Sequence, residues 1–128
     1  MSVPRRVSAY LDLADQDTDA APTLAQSANR YAAYHCQQAV EKLAKAVLLS
    51  LSIESGTEHR IDVLVGRIPD DNPWKLRLRP LDVYSPYATA YRYPTPGGRI
   101  AAAPQPERTL GDAMPIRSLV RMAREELR

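Results

Sequence analysis

The sequence predicts an all-α fold, an up-and-down bundle of about four to five helices, and three observations support this. Apolar residues recur at helical spacing wherever a period can be counted, and no segment alternates like a half-buried strand. The chain has no Phe, seven Tyr and one Trp, so Leu, Val, Ile and Ala must form the core, as in closely packed helices. Its 128 residues, 45% of them apolar, can bury such a core in one domain, so we expect a single domain over residues 1–128.

The first helix is expected over residues 5–20. Its apolar positions recur at helical spacing: Val7, Leu11 and Ala14. Aspartates make the far end of this helix polar: Asp12, Asp15, Asp17 and Asp19. Proline lacks the backbone N–H that the interior of a helix needs, so Pro22 should end or kink this helix.

The second helix is the clearest in the sequence. Asn29 is of a residue type that caps helices, and the stretch from Arg30 to about Leu51 contains neither Gly nor Pro. At about 100° per residue, one face of this helix is apolar: Cys36, Val40, Leu43 and Val47. A second set of side chains, which we name the polar row, lies roughly 150° away: His35, Gln38, Lys42 and Lys45.

Three more helices are expected downstream. Thr57 should cap a third helix that has one apolar side: Ile61, Leu64, Val65 and Ile68. A bent or broken fourth helix should begin near Trp74, a core anchor, and use further apolar residues: Leu76, Leu81 and Tyr84. Residues 94–109 are rich in Pro and Gly and predict a loop. A final helix should begin at about Asp112, with apolar residues at helical spacing: Ile116, Leu119, Val120, Ala123 and Leu127.

The polar row is the most informative feature for function. It combines an imidazole, an amide and two ammonium groups, which together offer several hydrogen-bond donors to phosphates or to the carboxylates of a partner protein. The alternative is a solvated helix face on which Glu41 and Lys45 form an i,i+4 ion pair. Under the first interpretation, the row lines a groove and binds an anion.

The composition argues against several classes of function. Two His and one Cys do not form a zinc site of recognisable spacing, and no Gly-rich phosphate loop precedes a helix, so neither a metal nor a cofactor is predicted. Cys36 lies on the apolar face and is expected to be a small core residue. A net charge of +2 does not by itself indicate nucleic-acid binding. The lack of a signal peptide or membrane span and the single cysteine favour a cytoplasmic location.

The stretch Tyr31–Ala46 resembles the central helix of HEPN domains. That helix shows an aromatic residue or His, then Gln-Gln-Ala, then Glu-Lys-x-x-Lys-Ala and an apolar run, and this sequence has the same order. Two shorter matches follow in the family's order, at residues 57–59 (Thr-Glu-His) and at residues 91–94 (Tyr-Arg-Tyr-Pro). The resemblance extends from about Ala9 to Pro94.

The resemblance implies a helical bundle that is commonly a homodimer. Family members are linked to nucleotide binding, to partnership with nucleotidyltransferases and to toxin–antitoxin systems. We therefore expect a binding subunit that contacts a nucleotide or a nucleotidyltransferase partner, without catalysis of its own. The residues expected to bind are the polar row and Arg92, which could stack on a ring or pair with an acid. A purely structural dimer module is another possibility that the sequence leaves open.

Many HEPN proteins are metal-independent ribonucleases with an Arg followed, after four to six residues, by a His late in the chain. Here no His follows His59, and the one match to that spacing is Arg30 with His35. In a ribonuclease toxin, the alternative function, His35 would move the proton of the RNA 2′-hydroxyl and Arg30 would stabilise charge on the phosphate. A regular helix places these two residues roughly 140° apart. They would converge only if Arg30 lies in a frayed first turn or if a dimer brings two copies together.

Overall fold

The computed structural model describes residues 3–27, 30–90 and 93–127, and within these ranges the chain forms helices, turns and loops without a strand. The helices in chain order are α1 (Val3–Gln26), α2 (Tyr31–Ser50), α3 (Ile61–Gly66), α4 (Pro73–Leu78), a 3-10 helix (Arg79–Tyr84), α5 (Tyr87–Ala90) and α6 (Pro106–Glu126). The long helices α1 and α6 pack against α2 and against each other, and the shorter helices also contact α2. The predicted all-α bundle is confirmed. None of the described helices is both long enough and apolar enough to cross a membrane.

Helix α2 supplies the centre of the core. Its predicted apolar face is at most 1% exposed: Cys36, Val40, Leu43 and Val47. The apolar residues predicted for the first helix, Val7, Leu11 and Ala14, are buried in the same cluster. Burying each large aliphatic side chain stabilises the fold by about 1.5–3 kcal/mol. The amphipathic pattern of α2 therefore determines which of its residues remain available for a functional site.

Helix α1 is longer than predicted, because it continues through Pro22 to Gln26. A proline inside a helix leaves the carbonyl four residues earlier without its usual N–H partner, and here that carbonyl belongs to Thr18. Arg117 of α6 donates to the Thr18 carbonyl from Nη2 at 3.2 Å and also contacts Asp19 Oδ1 at 2.5 Å. A side chain from another helix thus satisfies the carbonyl that the proline leaves free. The predicted helix end at residue 20 is therefore wrong.

Helix α3 begins later than a cap at Thr57 would allow. Arg60 occupies its N-cap position and makes no side-chain cap hydrogen bond. Glu58 Oε1 instead accepts from the backbone N–H groups of His59 and Arg60, at 3.2 and 3.0 Å, and orders the turn that leads into the helix. The predicted cap is wrong, but the predicted apolar side is confirmed by its burial: Ile61, Leu64, Val65 and Ile68.

Helix α4 begins directly after Asn72, whose Oδ1 accepts from the Trp74 N–H at 2.9 Å. Trp74 is buried, as predicted, but Leu76 is 70% exposed and Leu78 is buried in its place. Leu78 lies about one turn beyond Trp74 and shares its face, whereas Leu76 lies about 200° away from it. Pro80 then lacks the N–H that would continue the α-helix, and the chain proceeds as a 3-10 helix.

Helix α6 begins at Pro106, well before the predicted start at Asp112. Proline suits the first position of a helix, because its fixed φ is helical and no N–H partner is needed there. The predicted loop at 94–109 therefore ends at Gln105, and its last part is helical. Of the apolar residues predicted for this helix, Ile116, Val120 and Ala123 are buried, while Leu119 and Leu127 are partly buried. The predicted cap Asn29 lies outside the described residues.

Candidate functional site

Asp17 of α1 is a buried carboxylate that contacts two side chains of α2. Its Oδ1 lies 2.7 Å from His35 Nδ1, and its Oδ2 lies 2.5 Å from Lys42 Nζ. The ring of Tyr34 packs edge-on against the ring of His35, with 5.6 Å between the ring centres. His35 and Lys42 lie two turns apart on α2, so one carboxylate orients both side chains. We name these three residues, Asp17, His35 and Lys42, the Asp17 cluster.

Glu41 is the second buried carboxylate, and it contacts residues of α2 and of the segment before α3. Its Oε2 lies 3.0 Å from His59 Nδ1 and 3.5 Å from Lys45 Nζ. Its Oε1 accepts from Gln37 Nε2 at 3.3 Å, and Gln37 Oε1 accepts from Gln38 Nε2 at 2.7 Å. We name these five residues, Gln37, Gln38, Glu41, Lys45 and His59, the Glu41 cluster.

The structure divides the predicted polar row between the two clusters. His35 and Lys42 contact Asp17, and their side chains remain 29% and 23% exposed. Gln38 belongs to the Glu41 cluster, as does Lys45, whose side chain is only 8% exposed. The i,i+4 pair of Glu41 and Lys45 that the sequence indicated is present. Three residues of the row, His35, Gln38 and Lys42, therefore keep partial access to water, while Lys45 is a buried ion-pair partner.

Arg30 and His35, the two residues of the ribonuclease hypothesis, have different neighbours. The Arg30 guanidinium carbon lies 5.2 Å from the centre of the Tyr31 ring, beside a cavity also lined by residues 100–103. His35 contacts Asp17 of α1. Arg92, the remaining predicted binding residue, lies outside the described residues.

A cleft of about 370 Å³ opens beside the Glu41 cluster, between α2 and the region of α3 and the 3-10 helix. Seven residues from separate elements line it, six of them of polar type: Gln37, His59, Arg60, Asp62, Asp82, Ser85 and Ala88. A second cavity of about 240 Å³ shares Asp62 and Asp82 with it and adds two cations, Lys75 and Arg79. We name the first cavity the α2–α3 cleft.

The other aspartates of α1 form ion pairs with arginines of α6. Arg124 Nη2 lies 2.7 Å from Asp12 Oδ1 and 2.5 Å from Asp15 Oδ2, and these hydrogen bonds raise the pKa of Arg124. Arg117 pairs with Asp19 in the same way. These contacts hold α1 against α6 and thereby help to position Asp17 next to α2.

Cys36 is a core residue with no nucleophilic character at neutral pH. Burial raises the pKa of its thiol to about 12, and the charges of Asp112 and Asp17 add to the effect. A thiol with such a pKa stays protonated near neutral pH, and the thiolate is the reactive form. The interpretation of Cys36 as a small core residue is confirmed by its 1% exposure.

A comparison of the chain with protein-family models matches the HEPN domain over residues 7–125. The chain belongs to the HEPN domain family. No curated protein and no solved structure matches it. The match runs from the second turn of α1 to the last turn of α6, so it includes nearly all of the described bundle and extends beyond the Ala9–Pro94 region in which the sequence shows the resemblance.

Asp17 is a site residue of this HEPN domain that is absent from the residues predicted to bind. The helical spacing of α1 indicates that Asp17 is buried, because it lies three residues after Ala14 and four before Ala21, which share the buried face of this helix. The same spacing marks Gln37, which lies four residues after Ala33 and three before Val40, both buried. No such signal marks the contact of His59 with Glu41, which depends on how the chain returns after α2. Within the ranges that the structure describes, no group of three or more His, Cys, Asp or Glu could hold a metal ion.

Proposed function

We propose that this HEPN domain is a binding subunit that contacts a nucleotide or a nucleotidyltransferase partner through the polar row of α2 and has no catalytic activity of its own. The Asp17 cluster carries the proposal. One buried carboxylate orients His35 and Lys42, while part of each side chain stays accessible. Donors that are already oriented lose less conformational freedom when they bind a ligand.

The Asp17 cluster retains hydrogen-bonding capacity for a ligand. An ammonium group has three N–H donors, and Lys42 uses one of them for Asp17, so two remain. His35 contacts Asp17 through Nδ1, and its Nε2 donates to an anion when the imidazole is protonated and accepts when it is neutral. Neither side chain has another hydrogen bond within the described part of the chain. A phosphate or carboxylate that accepts from such groups forms charge-assisted hydrogen bonds of about 1.5–3 kcal/mol each. An anionic ligand therefore fits the accessible side of this cluster.

The ribonuclease alternative needs Arg30 and His35 at one phosphodiester. In the structure the two residues have different neighbours, because Arg30 contacts Tyr31 and His35 contacts Asp17. The alternative predicts RNA cleavage by the purified protein without added metal, and loss of that cleavage in His35→Ala. Such a result would replace the binding proposal with the enzymatic one.

Calorimetric titration with ATP tests the nucleotide part of the proposal. Lys42→Ala should weaken ATP binding about tenfold, because it removes a charge-assisted hydrogen bond, and added salt should weaken binding of the wild type. Arg121→Ala is the matched control, because Arg121 is an exposed cation of α6 outside the Asp17 cluster. Circular dichroism of each variant verifies that the fold is retained.

The partner part of the proposal is tested by affinity purification from the native host, with identification of a nucleotidyltransferase as the expected result. The homodimer stays a prediction from the family, and light scattering at high micromolar protein should give twice the monomer mass.

The binding proposal would be contradicted if neither ATP nor a nucleotidyltransferase bound and Lys42→Ala only lowered thermal stability. The Asp17 cluster would then be an internal ion-pair network, and the proposal would be wrong.

A further inference from the structure

His35 bears its proton on Nδ1 when its ring is neutral. Its Nδ1 lies 2.7 Å from Oδ1 of Asp17, and Oδ2 of the same carboxylate contacts the ammonium group of Lys42. A carboxylate in an ion pair is ionised and can only accept hydrogen bonds. If Nδ1 presented a lone pair to this carboxylate, two acceptors would face each other and repel. Asp17 therefore fixes the tautomer of His35.

The other ring nitrogen, Nε2, lies on the accessible side of His35. Asp17 is buried, so the ring edge next to Nδ1 faces the protein, whereas the opposite edge carries Nε2. The side chains of His35 and Lys42 are 29% and 23% exposed. Because both side chains converge on one carboxylate, a ligand that contacts Lys42 at this surface also meets the Nε2 edge of the imidazole.

Neutral His35 opposes an anion at this position. Nε2 of the fixed tautomer has a lone pair and no proton, so it repels an oxygen of a phosphate or carboxylate. The charges of Asp17 and Lys42 cancel, so the cluster as a whole does not attract an anion either. A proton on Nε2 reverses both effects, because it creates a charge-assisted donor and gives the cluster a net positive charge.

The groups around His35 differ from it in the pH range in which they change charge. Asp17 of α1 contacts the ring directly, Tyr34 packs against it edge-on, and Lys42 shares the carboxylate. Among these types of side chain, the imidazole is the one that ordinarily titrates between about pH 5 and 8. The ionisable groups that α6 brings to this region have other partners: Asp112 with Tyr84 of the 3-10 helix, and Arg117 with Asp19.

We propose that the Asp17 cluster binds an anion together with a proton, which His35 takes up from solvent on Nε2. The new N–H donates to the anion beside the N–H groups of Lys42, and the proton returns to solvent when the anion leaves. Because the protonated form binds, affinity is greatest at low pH and decreases as the pH rises through the range in which the free ring titrates. The proposal rests on the proposed function, since it concerns the anion site at Lys42.

Calorimetric titration with ATP at about pH 6, 7 and 8 tests the coupling, with His35→Gln as the variant that cannot take up the proton. The protonation of ATP itself affects both proteins alike, so the ratio of their affinities isolates His35. We expect the wild type to bind about tenfold more tightly than His35→Gln at the lowest pH, because it has the charge-assisted donor. At the highest pH the two affinities should be nearly equal.

His59→Gln is the matched control, because His59 contacts a buried carboxylate through Nδ1 in the same way but belongs to the Glu41 cluster. Its affinity for ATP should equal that of the wild type at each pH. A ratio of wild type to His35→Gln that stays constant with pH would overturn the proton coupling. If ATP binding still depended on Lys42, the proposed function would stand without it.

The ligand-free protein offers a second test, by NMR of the ring nitrogens. Neutral His35 should show its proton on Nδ1, and a proton on Nε2 instead would overturn the proposal whatever the protein binds. If ATP does not bind at any of the three pH values, inorganic sulfate replaces it as the probe, since its charge is constant over this range. A shift of the His35 signals toward those of the imidazolium would keep the proton coupling and remove the nucleotide from the proposed function. Unchanged signals would remove both, and the proposed function would keep only its protein partner.

Discussion

The Asp17 cluster and the Glu41 cluster have the same chemistry and different surroundings. Each contains a buried carboxylate, a His that contacts it through Nδ1 and a Lys. In the Glu41 cluster both ions are buried, since the side chains of Glu41 and Lys45 are 5% and 8% exposed. In the Asp17 cluster the carboxylate is buried, but Lys42 remains 23% exposed. The difference indicates that the Glu41–Lys45 pair mainly serves the fold, whereas the Asp17 cluster can also present donors to a ligand.

The two clusters should differ in what the loss of a carboxylate does to the free energy of unfolding. Glu41→Ala should cause the largest loss, about 3–5 kcal/mol, because it leaves the buried ammonium of Lys45 without its counter-ion. Urea denaturation followed by circular dichroism measures the effect. Replacing both residues, as in Glu41→Met with Lys45→Met, should recover most of the loss, because no unpaired charge is then buried. If Glu41→Ala were as stable as the wild type, the ammonium group of Lys45 would have to reach water once Glu41 is removed.

Asp17→Ala should lower the free energy of unfolding by less than Glu41→Ala does, by about 1.5–3 kcal/mol. The loss is smaller because Lys42 and His35 can turn toward water when their carboxylate is removed. The same denaturation experiment applies. Lys42→Ala is the control, and its loss should be smaller than that of Asp17→Ala, since it leaves Asp17 with His35. A loss for Asp17→Ala as large as that for Glu41→Ala would contradict the distinction between the clusters.

The sequence predicts local features of both clusters but not their long-range contacts. The Glu41–Lys45 pair and the apolar face of α2 follow from helical spacing, so both could be identified from the sequence. The contact of Asp17 with Lys42 joins residues of two helices, and its geometry depends on how α1 and α2 pack. The helix end predicted at residue 20 was wrong for the same reason, because Arg117, which contacts the carbonyl freed by Pro22, comes from a helix far along the chain. The Gln37 side of the cleft likewise requires the path of the chain after α2.

The contact between Arg117 and the Thr18 carbonyl joins α6 to the part of α1 that precedes Pro22. Arg117→Ala should lower the free energy of unfolding by about 1 kcal/mol, because the carbonyl that Pro22 leaves free loses its partner. In a Pro22→Ala background a backbone N–H can bond to that carbonyl, so the same arginine variant should cost less. A double-mutant cycle measures the difference as an interaction energy of about 0.5 kcal/mol or more. Additive effects would show that Arg117 acts through Asp19 alone.

The smallest expected effect concerns Cys36, whose thiol is influenced by Asp17 and, much more, by burial. The thiol pKa is about 12 in the folded chain against 9.0 for the free group. Because the folded pKa is the higher one, the protonated thiol contributes stability below about pH 9, and this contribution is lost as the pH rises toward 12.

At about pH 8, iodoacetamide should therefore modify the urea-unfolded chain rapidly and the native chain very slowly. Asp17→Asn should raise the native rate by less than about tenfold after correction for the unfolded fraction, since a tenfold change in thiolate corresponds to one pKa unit. Glu41→Gln, the matched control, should leave the corrected rate unchanged, because Glu41 is not among the charges that shift this thiol. Equal acceleration by the two variants would mean that the Asp17 charge does not act on Cys36 specifically, and that modification depends only on general loosening of α2.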